Sequence, residues 1–295
     1  MKTIPGILAV LLTSGWFACT AADASRKIAF EQNDNSVWVA NLDGSGARKI
    51  AAGVDPDISP DGSKLAFNTE DGNSPVRYIA VADLATGKIT LFKNVPSDNC
   101  FGPVWAPDGR KLLFYIFLDK EWDIGLADPD GSAFRILKKA QSDSHSFYSA
   151  CWTPDGQSLY CQDLDNLYHI GLDGAVIKQW PLQKILPGGD VDSGVRLGVS
   201  PDGRTLLAEL GTEAVPERKD WDGPAPSIWA LDLASEKARK VTAQFWWQPY
   251  WLSNTEFLCI AQGEKEKRPS IYRVSLDGNT RKLLIKNATE PSASK

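Results

Sequence analysis

Nine residues ahead of three evenly spaced prolines stand Asp98, His145 and Asp192, followed in turn by Asn99, Ser146 and Ser193. Equivalent positions of a repeat converge when the repeat closes into a ring. Two carboxylates and an imidazole brought together that way suit a divalent cation or a polar ligand. The plainer alternative is that all three lie apart in solvated connecting segments. Arg196 is singular, because the aligned positions hold Asp55, Gly102, Ser149 and Gln248. Its guanidinium can neutralise Asp192 or hold an anionic group bidentately. Aromatic residues form the third set: Phe245-Trp246-Trp247 and Phe147-Tyr148, with Trp122 and Trp221 in neighbouring loops. Such rings offer an apolar face and a polar edge to a sugar or a peptide side chain, and they serve equally well as packing between repeats. The candidate ligand-binding residues are therefore Asp98, His145, Asp192, Arg196, Trp221, Trp246 and Trp247.

Signs of catalysis are sparse. The sequence has no Gly-x-Ser-x-Gly nucleophile elbow. Of its two histidines, His169 falls in a strand pattern and reads as a packed residue. A pair such as Asp190 and Asp192 has the chemistry of an acid and a base, but nothing in the sequence fixes their separation. No catalytic residue is assigned and no cofactor is expected, a divalent cation near a channel mouth being the one exception entertained.

The elements that must position these residues follow from a repeat. Pro-Asp-Gly occurs at 60–62, 107–109, 154–156 and 201–203, an interval of 47 residues each time, and a worn fifth copy stands at Trp251-Leu252-Ser253-Asn254-Thr255. Pro presets φ, Asp bonds the local backbone and Gly accepts a positive φ, so each copy is a tight turn. Two residues before the Pro stand Ile58, Trp105, Trp152, Val199 and Trp251; five after it stand Leu65, Leu112, Leu159, Leu206 and Leu258. Short β-branched and aromatic runs flank the turn and define an antiparallel hairpin. A second pair of strands surrounds Leu-Asp-Gly at 42–44, 172–174 and 276–278, a strong hairpin signal. Four antiparallel strands per unit, with no helical periodicity, describe a propeller blade.

The count is six, because Lys27-Ile28-Ala29-Phe30 matches Lys64-Leu65-Ala66-Phe67 ahead of the first full copy. The expected fold is all-β: a six-bladed β-propeller of four-stranded antiparallel blades. Its first blade is either incomplete or closed by the segment after Asn287. The connectors and the loops between second and third strands share one face, here called the connector face. The longest of those loops, Gly211 to Pro226, contains Trp221.

At 295 residues the chain carries 43% apolar and 23% charged residues and a formal net charge of −5. That balance argues against a nucleic-acid partner. Lys2 followed by an apolar run to Ala18 and the small residues Ala22-Asp23-Ala24 has the three parts of a secretory signal. Residues 1–24 are read as a signal peptide and 25–295 as a single propeller. A competing reading places a lipid on Cys19. The expected location is periplasmic or extracellular, with Cys19 the only membrane anchor considered. Cys100, Cys151, Cys161 and Cys259 show no metal or redox spacing and are expected as free, buried thiols. Cys151 and Cys161 share a face if their hairpin loop has three residues and lie on opposite faces if it has four.

The stretch Ile58-Ser59-Pro60-Asp61-Gly62-Ser63-Lys64-Leu65-Ala66-Phe67, with variants starting at Trp105, Trp152 and Val199, resembles the TolB-type propeller repeat. The resemblance covers essentially the whole chain after the signal and implies the fold. It leaves function open, since propellers of this type serve as periplasmic interaction modules, as companions of peptidase domains and as polysaccharide lyases. The lyases it brings in use several histidines around a metal, and this sequence offers one candidate. The leading expectation is a non-enzymatic binding or scaffold propeller, a monomer that recognises an envelope protein, peptide or glycan through the connector face. The alternative is a lyase or glycosidase in the same central funnel.

Overall fold

Pro-Asp-Gly makes the same turn four times. Gly62, Gly109, Gly156 and Gly203 take φ of 69, 72, 68 and 74°, a region open to glycine at no steric cost. Each Asp accepts the amide N–H two residues on, from Ser63 (3.0 Å), Arg110 (2.9 Å), Gln157 (3.0 Å) and Arg204 (3.1 Å). The amide of Thr153 donates to Ser158 O, so the hairpin loop holds four residues and Cys151 pairs with Tyr160. Cys151 and Cys161 therefore point to opposite faces of their sheet. All four cysteines from Cys100 onward are buried, and none is joined to another in a disulfide.

The computed structural model describes residues 23–69, 76–138, 146–212, 218, 221 and 223–295. They form six four-stranded antiparallel sheets, the six blades of the propeller. The inner strands of blades 2 to 6 are Val54–Ile58, Cys100–Trp105, Tyr148–Trp152, Gly198–Val199 and Trp246–Trp251. Blade 1 takes its inner strand from the other end of the chain: Ala288–Ala293 pairs antiparallel with Lys27–Gln32. Of the two expectations for the first blade, closure by the C-terminal segment is the one observed. Closing the ring leaves no unpaired inner edge.

The core is divided among the blade junctions, with one hydrophobic cluster in each of the six. Leu65, Leu112, Leu159, Leu206 and Leu258 are all fully buried; each such side chain contributes roughly 1.5–3 kcal/mol. The tryptophans two residues before the turn clasp neighbouring blades. Trp105, Trp152 and Trp251 donate their indole N–H to the backbone oxygens of Asp57 (2.9 Å), Val104 (3.2 Å) and Gly198 (2.9 Å). A second clasp lies near the rim, where Arg48, Arg135 and Arg239 donate to the carbonyls of Leu84, Leu172 and Leu276 in the next blade. Gly278 shows how close that approach is: φ is 76°, and a Cβ there would lie 2.4 Å from Val241 O. The outer strands also carry Arg48, Lys49, Lys178, Lys237, Lys240 and Lys282, charges that discourage edge-to-edge pairing.

Candidate functional site

Each inner strand but one contains a bulge, and the bulges line the channel. The bulged residues Asp55, Gly102, Ser149, Gln248 and Glu290 have φ of 51, 62, 58, 54 and 51°, and four of them precede proline. The register of each strand slips at that point. A non-glycine side chain rarely adopts this conformation, and it is retained where the surroundings impose it. Arg196 completes the ring in blade 5 without a left-handed φ. The six positions surround a central channel of about 710 Å³ that runs from Ser193 and Gly194 to Pro60, Pro107 and Pro154.

The channel wall is asymmetric. On one side Arg196 donates to Glu290 Oε2 (2.6 Å) and to Pro291 O (2.7 Å). Gln248 closes the network: its amide nitrogen donates to the second Glu290 oxygen, and its Oε1 accepts the Glu290 N–H at 3.0 Å. Behind them the Gln248 N–H donates to Glu209 (3.1 Å). Burial pushes the Glu209 carboxyl up to about 7, with Asp192 and Glu290 adding to the rise. Burial likewise pushes Asp57 up to about 7, against the opposing pull of the Trp105 amide and of Arg196. On the far side Phe101, Gly102, Tyr115, Ser149 and Ala150 present small or apolar groups. Arg77 crosses above them, 5.3 Å from the Phe101 ring centre, with its guanidinium on Asn99 Oδ1.

The candidate residues distribute as follows. Arg196 lines the channel, and Glu290 rather than Asp192 is its ion-pair partner. Asp192 sits at the mouth close enough to raise Glu209, and its carboxylate accepts the Gly194 N–H at 2.7 Å. Asp98 is exposed, and its backbone oxygen accepts from Arg77. His145 lies outside the described residues. Among the described residues no group of three His, Cys, Asp or Glu side chains is arranged to hold a metal ion. Trp246 and Trp247 face opposite sides of their strand, as alternation requires. Trp247 packs with Trp221 (5.4 Å), which also meets Phe245 (5.4 Å). Trp246 turns toward blade 5 beside Tyr272 (5.0 Å). His169 stacks on Tyr160 at 4.6 Å and meets Ser158.

Sequence reasoning missed Glu209 and Asp57. A signal for the first exists in the column eight residues after each turn proline, where Asn68, Tyr115, Gln162 and Glu209 replace the expected apolar residue. These side chains support the bulges: Asn68 donates to Asp55 (2.7 Å) and Gln162 to Ser149 (3.1 Å). The indole nitrogens make a second pattern. Seven of the ten tryptophans in the described residues donate within the protein. Trp122, Trp246 and Trp247, all at the connector face, do not. Asn68 Oδ1 is the single described side-chain atom both buried and unpartnered, so these three N–H groups face solvent.

A channel of this kind inside six four-stranded blades defines a six-bladed β-propeller. Its blades are similar to the TolB-type repeat, and proteins named TolB are among those it resembles. No family model matches the chain. It is 25% identical over 136 residues to a protein TolB homologue of Chlorobium chlorochromatii, covering 45% of this chain and 29% of that protein. It is 33% identical over 120 residues to dipeptidyl-peptidase 5 of Porphyromonas gingivalis, covering 36% of this chain and 18% of that protein. The matches thus span less than a third of either relative. Among solved structures, TolB from Acinetobacter baumannii superposes with a TM-score of 0.69 at 16% identity, over 92% of this chain and 67% of that one. A nidogen/laminin complex matches with a TM-score of 0.65 at 13% identity, over 92% of this chain and 98% of that one.

Proposed function

We propose that the protein is an exported binding propeller that holds a protein or peptide over the channel mouth on its connector face. The observation that carries this reading is the asymmetric mouth. A charged wall of Arg196, Glu290 and Gln248 faces an apolar wall of Phe101 and Tyr115, with Gly102 and Ser149 leaving room between them. An amphipathic side chain of a partner fits such a cleft, its polar end on one wall and its body on the other. The propeller matched in a nidogen/laminin complex supports a protein partner. A catalytic reading has one observation behind it, the raised Asp57 and Glu209 carboxyls. Both face backbone N–H groups of their own chain, which supports a structural duty instead.

Export rests on the N-terminal signal pattern. Asp23 is buried and pairs with Arg273 at 3.1 Å, beside Glu256 at 2.6 Å. That contact favours a mature chain that keeps Asp23, as processing at Cys19 would, over one that starts at Ser25. Intact-mass measurement on protein from its native host separates the two: a diacylglyceryl-modified Cys19 supports the first and a chain starting at Ser25 the second.

The binding reading is tested by capture from an envelope extract, with the recovered partner then titrated against Arg196→Ala, Trp247→Ala and the turn-face control Gln157→Ala. Loss of affinity in the first two, with the control unaffected, is expected. Affinity retained by both connector-face variants would remove the site from this face.

A further inference from the structure

A second cavity, of about 650 Å³, lies off the channel axis on the connector face between blades 5 and 6. That volume is within the range of small-molecule sites. Trp246 and Tyr272 form its floor, their ring centres 5.0 Å apart and their planes at 54°. Arg218 forms a wall, its guanidinium 4.1 Å from the Phe245 ring centre and donating to the carbonyls of Gln262 (2.7 Å) and Gly263 (3.3 Å).

The polar groups around this floor are unevenly used. The Trp246 indole N–H and the Tyr272 hydroxyl have no hydrogen-bond partner among the described residues. Gln244 commits its amide nitrogen to Thr212 Oγ1 at 3.0 Å, which leaves its carbonyl oxygen open. Glu266 accepts the Gly263 N–H through Oε2 at 3.0 Å, which leaves Oε1 open, and Glu264 makes no hydrogen bond to the described residues. The cavity thus combines an aromatic floor with a rim rich in acceptors. The lining carries one carboxylate more than it has cations: Glu264 and Glu266 stand against Arg218.

We propose that this cavity is a saccharide subsite for an uncharged pyranose. A pyranose is the ligand class that carries an apolar C–H face together with a ring of hydroxyl donors. Its C–H face lies on Trp246 and Tyr272, and its hydroxyls donate to Gln244 Oε1, Glu264 and Glu266 while one accepts from the Trp246 indole. The excess of carboxylate at the rim selects against a uronate, which would meet Glu264 and Glu266. The site is separate from the channel mouth and stands or falls apart from the binding reading above.

The test is titration of the full chain with cellopentaose, maltopentaose and chitopentaose, followed by tryptophan fluorescence and calorimetry, with pentagalacturonate as the charged comparison. At least one neutral oligosaccharide is expected to bind with a dissociation constant of about 1 mM or tighter. Trp246→Ala should weaken it by about thirtyfold. Because Trp246 also packs at the blade junction, the double variant Gln244→Ala/Glu264→Gln, which touches no core residue, is the second reading. It should weaken binding at least about tenfold with the unfolding temperature unchanged. No binding of any neutral oligosaccharide, wild-type affinity in the double variant, or equal affinity for pentagalacturonate would each overturn the proposal. So would a peptide that competes for the same residues while no saccharide binds.

Discussion

On the turn face Asp61, Asp155 and Asp202 occupy one place in three blades and make one set of bonds. Each accepts the hydroxyl two residues before it, from Ser59 (2.6 Å), Thr153 (2.7 Å) and Ser200 (2.6 Å), and an amide two residues after it. Those hydroxyls hold all three carboxyls below the ordinary aspartate value. Along the channel and on the connector face the corresponding columns hold unlike residues, and two acids in the channel wall are pushed up to about 7 by burial. Three tryptophans there leave their N–H groups to solvent. Repetition marks what the ring needs in order to close; departure from the repeat marks what this ring offers to something else.

The comparison can be broken most forcefully at Gly278. Valine there puts a Cβ 2.4 Å from Val241 O at a φ of 76°. A cost of about 3 kcal/mol is expected, read as a lower denaturant midpoint, with partner binding by the folded fraction unchanged. Loss of binding without loss of stability would mean that the turn face carries function.

A smaller effect separates the two kinds of acid by pH. Because burial raises Asp57 in the folded state, the folded protein binds more protons than the unfolded chain between about pH 4 and 7. Stability from this group is complete below the ordinary carboxylate value and is lost as pH rises through about 7. Asp57→Asn should therefore match the wild type near pH 4.5 and exceed it near pH 8, by on the order of 1–2 kcal/mol. The turn acids carry the opposite sign, their contribution being lost as pH falls. Parallel unfolding curves for the variant and the wild type at both pH values would refute the assignment.

The smallest expected change is Asp61→Ala, about 1 kcal/mol from the hydroxyl and amide bonds it forfeits, measured as a shift in midpoint that Asp202→Ala should reproduce. Different costs at the two positions would weaken the claim that they are equivalent.

The blades were legible because turn chemistry and strand alternation are local, and a 47-residue interval repeats them four times. The sixth inner strand was only half visible. Glu290-Pro291-Ser292 follows the bulge pattern of Asp55-Pro56-Asp57 and Gln248-Pro249-Tyr250, yet no turn follows it to announce the register. Arg196 stands out in the sequence by the asymmetry of its column and lines the channel, whereas its partner Glu290 does not stand out, because it reaches Arg196 only through ring closure. Trp246 and Trp247 read in the sequence as neighbours in one aromatic set. Adjacent strand residues face opposite ways, so one turns to blade 5 and the other packs on Trp221. Glu209 and Asp57 escaped notice since their character comes from burial, which depends on all six blades at once.

The most direct test of the division between the faces is a paired alanine series on one partner: Arg196 and Trp247 against Asp61 and Asp202, each read for both affinity and unfolding temperature. Connector-face variants should weaken binding at least about tenfold, whatever small fall in unfolding temperature accompanies them. Turn-face variants should lower the unfolding temperature and leave affinity unchanged. Affinity that tracks stability across all four variants would contradict the account.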